Sequence, residues 1–336
     1  SSTQSSSTQS SSTQAADSAF VGGDSAGGDS AGGDSDNSRF FESDPPRGQL
    51  QTTPRWWTAL AVAGVSLASF LFASFVTLLF ALLLVHGELS LAMLRDPESF
   101  AAVSKSRLGL LIVVVIPQLA LVTPSVLAAF LSPVPTLRRL GLVRGNWPFW
   151  TWFAAAAATP LVGMISGLAV GMFLDESESL KEMSNIFRDH GQNGFLWPIA
   201  LMIGITPAFC EELLFRGYLQ TRLVRSFGPL IGVFTASAMF AIVHFDPVHI
   251  VAVFPLGLFL GWVTWRSGSL YPAMLGHFVN NFISVVAVVL VSDAEAGLLS
   301  LPAVAFSLIV FASGVVGLAS VSVASVLYRS PQSAVR

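Results

Sequence analysis

The sequence predicts an all-α protein, a multi-pass transmembrane helical bundle of about eight spans that follows a disordered N-terminal tail. Three observations support this fold class. The chain of 336 residues is 53% hydrophobic and only 11% charged, whereas soluble domains carry about 25% charged residues. Long apolar stretches follow Trp56, and a helix needs roughly 20 such residues to cross a bilayer. The segment before Trp56 consists instead of short polar repeats.

The N-terminal segment 1–55 repeats the units SSTQ and GGDSA, which contain no apolar face to bury. This composition is typical of disordered chain. We therefore divide the sequence into a low-complexity tail, 1–55, and a transmembrane domain, 56–328, whose catalytic core is expected at 195–292.

Eight apolar segments are predicted to span the membrane as helices, because a helix satisfies its own backbone hydrogen bonds in lipid. The fifth and sixth segments are short and are separated by HFDPVH, so seven spans are the alternative. The predicted spans are 57–85, 108–132, 147–174, 195–222, 229–245, 248–265, 268–292 and 298–327.

Basic residues are distributed unevenly between the two ends of these spans. Twelve Lys and Arg residues fall on the side of the termini and five on the other side. Cytoplasmic loops are enriched in Lys and Arg, so both termini are predicted to be cytoplasmic, in the plasma membrane of a prokaryote. The net charge of −3 and the lack of a basic cluster interleaved with aromatics argue against a nucleic-acid partner.

Ionisable side chains within the predicted spans point to a functional site. A charge at mid-bilayer costs at least about 2.5–3.5 kcal/mol, so such residues usually face the bundle interior. Glu211, Glu212 and Arg216 lie in the fourth span. Residues four apart share a helix face, so Glu212 is expected to pair with Arg216 and to leave Glu211 available to another helix.

Two further spans supply polar groups at the same four-residue spacing. Phe240 and His244 lie in the fifth span, and His277 and Asn281 lie in the seventh. From the helical rise, Glu211 is roughly 16 Å, His277 roughly 14 Å and His244 roughly 22 Å from the cytoplasmic side. The sequence therefore permits one buried polar site near the middle of the membrane.

These residue types suit the hydrolysis of a peptide bond inside the membrane. Glu211 is expected to act as a general base that deprotonates a water. Neutral imidazoles can orient that water, stabilise an oxyanion or bind a metal, and an amide such as that of Asn281 can donate to the developing oxyanion. The zinc-peptidase motif HExxH does not occur in the sequence. Cys210 is expected to be a buried packing residue rather than a nucleophile.

At these residues the sequence resembles the CPBP intramembrane proteases, a family that includes the type 2 CAAX prenyl endopeptidases and bacterial abortive-infection proteins. The family motifs EExxxR, FxxxH and HxxxN occur in order as EELLFR, FAIVH and HFVNN. The resemblance covers 195–292 and implies that a glutamate activates the water while the asparagine stabilises the oxyanion. The catalytic positions that it implies are Glu211, Glu212, His244, His277 and Asn281, with Arg216 and Phe240 in supporting roles.

The resemblance implies an endopeptidase that cleaves a membrane-associated or prenylated, CAAX-type protein. One expectation is a divalent metal, with zinc favoured, held by Glu211, His244 and His277; the other is a water held by the same side chains without a metal. A non-proteolytic scaffold or bacteriocin-immunity protein of the same fold is an alternative function, and a proton-coupled transporter is another. The sequence identifies neither the physiological substrate nor the oligomeric state.

Overall fold

The helices of the protein occur where the apolar segments predict them. A computed structural model describes residues 55–291 and 301–328, so the predicted tail lies outside the described residues except for Arg55. The described residues form eleven α-helices and no strand. The helices are α1 (Trp56–His86), α2 (Pro97–Lys105), α3 (Arg107–Phe130), α4 (Thr136–Arg139), α5 (Trp150–Gly171), α6 (Glu178–His190), α7 (Leu196–Glu212), α8 (Thr221–Ile242), α9 (Pro247–Ser267), α10 (Tyr271–Val291) and α11 (Leu301–Leu327).

The outer surface of the bundle is apolar. Seven helices within the described ranges are long and apolar enough to cross a membrane. Large hydrophobic side chains on the outermost helices point away from the protein: Phe72 on α1 is 69% exposed and Ile309 on α11 is 68% exposed. A continuous surface of this kind is stable in lipid rather than in water. The protein is therefore an integral, multi-pass membrane protein with a helical-bundle fold, as predicted.

The fourth of the seven helices is a continuous run of 65 residues, Glu178–Ile242, that bends at two glycines. Gly194 and Gly228 both have positive φ, at 76° and 83°. A Cβ atom added to Gly232 would lie 2.5 Å from the backbone nitrogen of Val224, although residues eight apart in a straight helix are separated by about 12 Å. The chain therefore reverses at Gly228. The predicted fourth and fifth spans are two antiparallel arms of one helical run, and the second arm is short.

Side-chain caps fix where the helices around the site begin. The Ser106 hydroxyl accepts a hydrogen bond from the Gly109 amide at 3.2 Å and starts α3. The Asp246 carboxylate accepts one from the His249 amide at 2.8 Å and starts α9. Such caps satisfy amides that have no partner within the helix, so the register of both helices is set at their first turn.

The carboxyl end of α7 lies in the interior of the bundle. Helix α7 packs against α3 on one side and α10 on the other, and α8 packs against α9. Cys210, near the end of α7, is 1% exposed and lies in an apolar cluster with Leu213 and Leu270. This burial agrees with the packing role expected for Cys210. The two glutamates that follow it consequently face protein on several sides.

Candidate active site

The paired glutamates and Arg216 lie at a change of helix geometry. Glu211 and Glu212 end α7, and the chain then widens into a π-helix, Leu213–Gln220, whose eight residues are all buried. Helices with i→i+5 hydrogen bonds are rare and occur frequently at functional sites. Glu211 is 7% exposed, while Glu212 and Arg216 are both 0% exposed. Three ionisable side chains therefore lie within about one turn of each other inside the bundle.

Glu212 joins two helices through one carboxylate oxygen. Its Oε1 accepts a hydrogen bond from Arg216 Nη1 at 2.7 Å, as the four-residue spacing predicts. The same oxygen accepts a second hydrogen bond, from His277 Nδ1 on α10, at 2.9 Å. Charge-assisted hydrogen bonds of this length are among the strong ones. Glu212 therefore holds both a guanidinium and an imidazole in fixed orientation.

Arg216 is held by two other helices, α8 and α9, besides its own helical turn. Its Nη2 donates to the Gly257 carbonyl of α9 at 3.2 Å, and its guanidinium carbon lies 4.1 Å from the centre of the Phe240 ring. One turn later Gln220 Nε2 donates to the Gly261 carbonyl at 2.9 Å. Residues 257 and 261 are glycines, and an added Cβ at Gly261 would lie 2.7 Å from Gln220 Oε1. The close approach of α9 thus depends on small residues facing long polar ones.

The hydrogen bond to Glu212 determines which nitrogen of His277 carries a proton. A carboxylate only accepts hydrogen bonds, so Nδ1 is the donor, and in the neutral ring Nε2 is left as an acceptor. His277 Nε2 faces Glu211 Oε2 at 3.9 Å. That separation is too long for a direct hydrogen bond between the two atoms, but a water molecule can bridge atoms at such a distance.

Glu211 is held from a helix that the motifs do not include. Gln118 Nε2 on α3 donates to Glu211 Oε1 at 2.8 Å. Gln118 Oε1 is buried and has no hydrogen-bond partner in the described part of the chain. Sequence analysis missed this residue, although a strongly polar side chain in the run VVVIPQLALV was a usable signal. Glu211 is thus oriented by a neutral amide, whereas Glu212 is bonded to a cation.

His244 lies one aromatic ring away from this group. Its Nδ1 donates to the Phe240 carbonyl at 3.0 Å, which leaves Nε2 as the acceptor of the neutral ring. The Phe240 ring contacts His244 at 5.1 Å and His277 at 5.8 Å between ring centres. The next residue, Phe245, has φ of 57° and is the one non-glycine residue with positive φ in the described ranges. A strained residue therefore connects His244 to the start of α9.

The asparagines of α10 lie one turn beyond His277. Asn281 Nδ2 donates to the Ile203 carbonyl of α7 at 3.4 Å, and Asn280 Nδ2 donates to Asn281 Oδ1 at 3.1 Å. Asn280 also lies against Gly163 of α5, where an added Cβ would meet its Oδ1 at 2.6 Å. Both amides consequently face the interior, and Asn281 is the one that reaches α7, the helix that bears Glu211.

The residues do not form a three-ligand metal site in this arrangement. A zinc ion takes at least three protein ligands at about 2.0–2.3 Å. The described residues include no group of three or more His, Cys, Asp or Glu side chains that could hold a metal ion. Glu211 and His277 approach one another, and His244 contacts the Phe240 ring that also contacts His277. We therefore derive no catalytic step through a metal.

Comparison with known proteins identifies the part of the chain that carries this site. Residues 193–283 match the type II CAAX prenyl endopeptidase Rce1-like family. The family resemblance expected from the motifs is confirmed over that range. The range contains every predicted catalytic residue, whereas Gln118 lies outside it.

A further similarity is to a protein of Bacillus subtilis (strain 168) named "Uncharacterized protein YpbD". The two are 33% identical over 109 residues, which cover 30% of this chain and 53% of the relative. The chain therefore matches about half the length of this curated relative. No solved structure matches the chain.

Proposed function

We propose that this protein is an intramembrane endopeptidase in which Glu211 activates a water to hydrolyse a peptide bond. The observation that supports it best is the unequal treatment of two adjacent glutamates. Glu212 is bonded to Arg216 and His277, whereas Glu211 receives a hydrogen bond only from the Gln118 amide among the described residues. A carboxylate without a cation partner is the one suited to accept a proton.

The proposed reaction begins at the gap between Glu211 Oε2 and His277 Nε2, which measures 3.9 Å. A water there gives one proton to Glu211 while the water oxygen bonds to the substrate carbonyl carbon. The π electrons of the carbonyl move to the carbonyl oxygen, which becomes an oxyanion. An amide such as that of Asn281 donates a hydrogen bond to this oxyanion. The oxyanion then re-forms the carbonyl, the C–N bond breaks, and Glu211 returns its proton to the leaving amine.

His277 has a positioning role in this scheme. Glu212 accepts from its Nδ1, so Nε2 is presented towards the water as an acceptor. A carboxylate behind a histidine fixes the tautomer and orientation of the ring, as it does in other hydrolytic sites. Arg216 supports this arrangement by its hydrogen bond to Glu212. Phe240 supports it because its ring contacts both the Arg216 guanidinium and the His277 ring. The assignment predicts that Glu212 acts on the reaction indirectly.

The family match and the position of the site support a proposal for the substrate class. The matched family is one of CAAX prenyl endopeptidases, and the glutamates are buried within the apolar bundle. We propose a membrane-associated or prenylated, CAAX-type protein as substrate. We also propose that both termini are cytoplasmic. The basic residues concentrate at the end of the bundle where α1 begins and α11 ends, and cytoplasmic loops are enriched in such residues.

The decisive experiment compares the purified full-length protein with Glu211→Gln. Farnesylated and unmodified membrane-anchored peptides are offered to both, with and without an exhaustive chelator. Loss of the base should lower kcat/KM at least about a hundredfold, while Glu182→Gln, an exposed glutamate of α6, should cleave like the wild type. Equal turnover by Glu211→Gln and wild type would overturn the proposal. Loss of wild-type activity on chelation, restored by zinc, would instead establish the metal that the site geometry does not provide for.

A further inference from the structure

The charged residues that the structure describes at one end of the bundle are all arginines. The segments 55–57, 131–149, 217–228, 265–271 and 325–328 contain seven arginines and no aspartate or glutamate. Contacts join these segments to one another. The Asn146 amide donates to the Ser267 carbonyl at 2.8 Å, and Trp147 Nε1 donates to the Tyr328 carbonyl at 3.1 Å. Leu140 packs against Gly217, and the Trp56 ring contacts Phe227. Seven cations therefore share one end of the molecule without a carboxylate in the described residues of that end.

Three of these arginines form a group, and two of them interact with Tyr218. The Arg222 guanidinium carbon lies 3.4 Å from the centre of the Tyr218 ring, and Arg222 Nη1 donates to the Tyr218 carbonyl at 3.0 Å. Arg139 is brought alongside because the Leu140 carbonyl packs against Gly217, where an added Cβ would lie 2.6 Å from it. Arg222 interacts electrostatically with both Arg139 and Arg225. We call Arg139, Arg222 and Arg225 the arginine cluster.

The arginine cluster combines buried donors without an acceptor and adjacent like charges among the described residues. Arg222 is 2% exposed, and the Nε atoms of Arg139 and Arg222 are buried without a hydrogen-bond acceptor among the described residues. Burial lowers the pKa of Arg139. The neighbouring Tyr218 raises this pKa, and the neighbouring Arg225 lowers it further. Buried donors without an acceptor and adjacent like charges are both unfavourable, so a bound anion would relieve both costs.

We propose that Arg139, Arg222 and Arg225 bind a phosphate group, and that this phosphate belongs to the headgroup of an anionic phospholipid. The guanidinium fork matches phosphate oxygens in two-point geometry, which is why arginine is preferred at such sites. Arg225 is exposed and Arg139 is half-buried, so the cluster is open to a ligand at the surface while Arg222 closes its inner side.

The surroundings favour a lipid as the source of the phosphate. Trp56 contacts Phe227, two residues beyond Arg225, at 5.7 Å between ring centres, and Trp152 stacks on Tyr271 at the same end of the bundle. Tryptophan and tyrosine concentrate at the level of lipid headgroups. The arginine cluster therefore lies at the depth where phospholipid phosphates are found, and clustered basic residues there are attracted to anionic lipids.

The test measures lipid binding to the full-length protein in detergent micelles. Dioleoyl-phosphatidylglycerol, dioleoyl-phosphatidylcholine and inorganic phosphate are titrated separately, and binding is followed by thermal unfolding and by native mass spectrometry. Arg139→Gln/Arg225→Gln removes two cluster arginines and leaves the buried Arg222. Arg95→Gln/Lys105→Gln is the matched control, because it removes two exposed positive charges at the opposite end.

We expect phosphatidylglycerol to bind the wild type in preference to phosphatidylcholine. At about fivefold per arginine, the cluster variant should bind it roughly 25-fold more weakly, while the control variant stays within about twofold of wild type. Equal binding of the two lipids by the wild type, or equal weakening in both variants, would overturn the site. Inorganic phosphate that binds as tightly as phosphatidylglycerol and competes with it would support the phosphate site and overturn the lipid as its source.

Discussion

Replacing Gln118 with methionine tests how the proposed base is held in place. Methionine keeps the length and much of the volume of glutamine but cannot donate to Glu211 Oε1, which now accepts from Gln118 Nε2 at 2.8 Å. A hydrogen bond to a charged group contributes about 1.5–3 kcal/mol. If that amount orients the carboxylate for the transition state, kcat/KM should fall about 10- to 150-fold.

The assay separates a positioning effect from a structural one. Because Gln118 contacts Glu211 rather than a bound peptide, we expect the loss in kcat with KM nearly unchanged. Thr123→Val is the control, since it removes another side-chain hydrogen bond of α3, to the Leu119 carbonyl, away from the site. Wild-type kcat in Gln118→Met, or an equal loss in Thr123→Val, would refute the reasoning. A large drop in unfolding temperature would mean that Gln118 acts on the fold instead.

Three further predictions concern the frame around the site. Arg216→Met should lower the free energy of unfolding by about 3–5 kcal/mol, because it leaves buried Glu212 without its cation, and Arg216→Met/Glu212→Gln should recover much of that loss in denaturant titrations. In Gly261→Ala the new Cβ would lie 2.7 Å from the buried Gln220 Oε1, so this variant should lower the free energy of unfolding by about 1–3 kcal/mol. In the control Gly167→Ala the new Cβ meets no atom within 4 Å, so the unfolding temperature should stay equal or rise. Hydrogen bonds from a serine hydroxyl and an α9 amide lower the pKa of Asp246 to about 2. Its capping contribution should therefore be complete above the unfolded-state pKa of about 4 and vanish as pH falls through 2; amide exchange in the first turn of α9 should follow that window in the wild type and not in Asp246→Asn.

Much of the fold and part of the site follow from local sequence pattern. Apolar length predicted the helices because a bilayer imposes that length on every span. The pairing of Glu212 with Arg216 followed from helix geometry alone. The reversal at Gly228 was visible as a gap between two apolar segments, although the structure continues the helical run on both sides of it.

Contacts between distant segments could not be predicted in the same way. Gln118 and Glu211 are 93 residues apart, and Arg216 reaches the Gly257 carbonyl across 41 residues. No periodicity relates such pairs, because they depend on how whole helices pack. The sequence marked Gln118 as a polar residue in an apolar span without indicating its partner. Nor did it indicate that His244, two residues beyond the end of α8, would bond to the Phe240 carbonyl in the last turn of that helix.

The two adjacent glutamates have different neighbours because successive helical residues point about 100° apart. Glu212 faces Arg216 and His277, while Glu211 faces Gln118 on another helix. Arg216 is bonded to Glu212, so the carboxylate without a cation is that of Glu211. A carboxylate held only by a neutral donor stays oriented and keeps its capacity to take a proton, and activation of a water requires both properties.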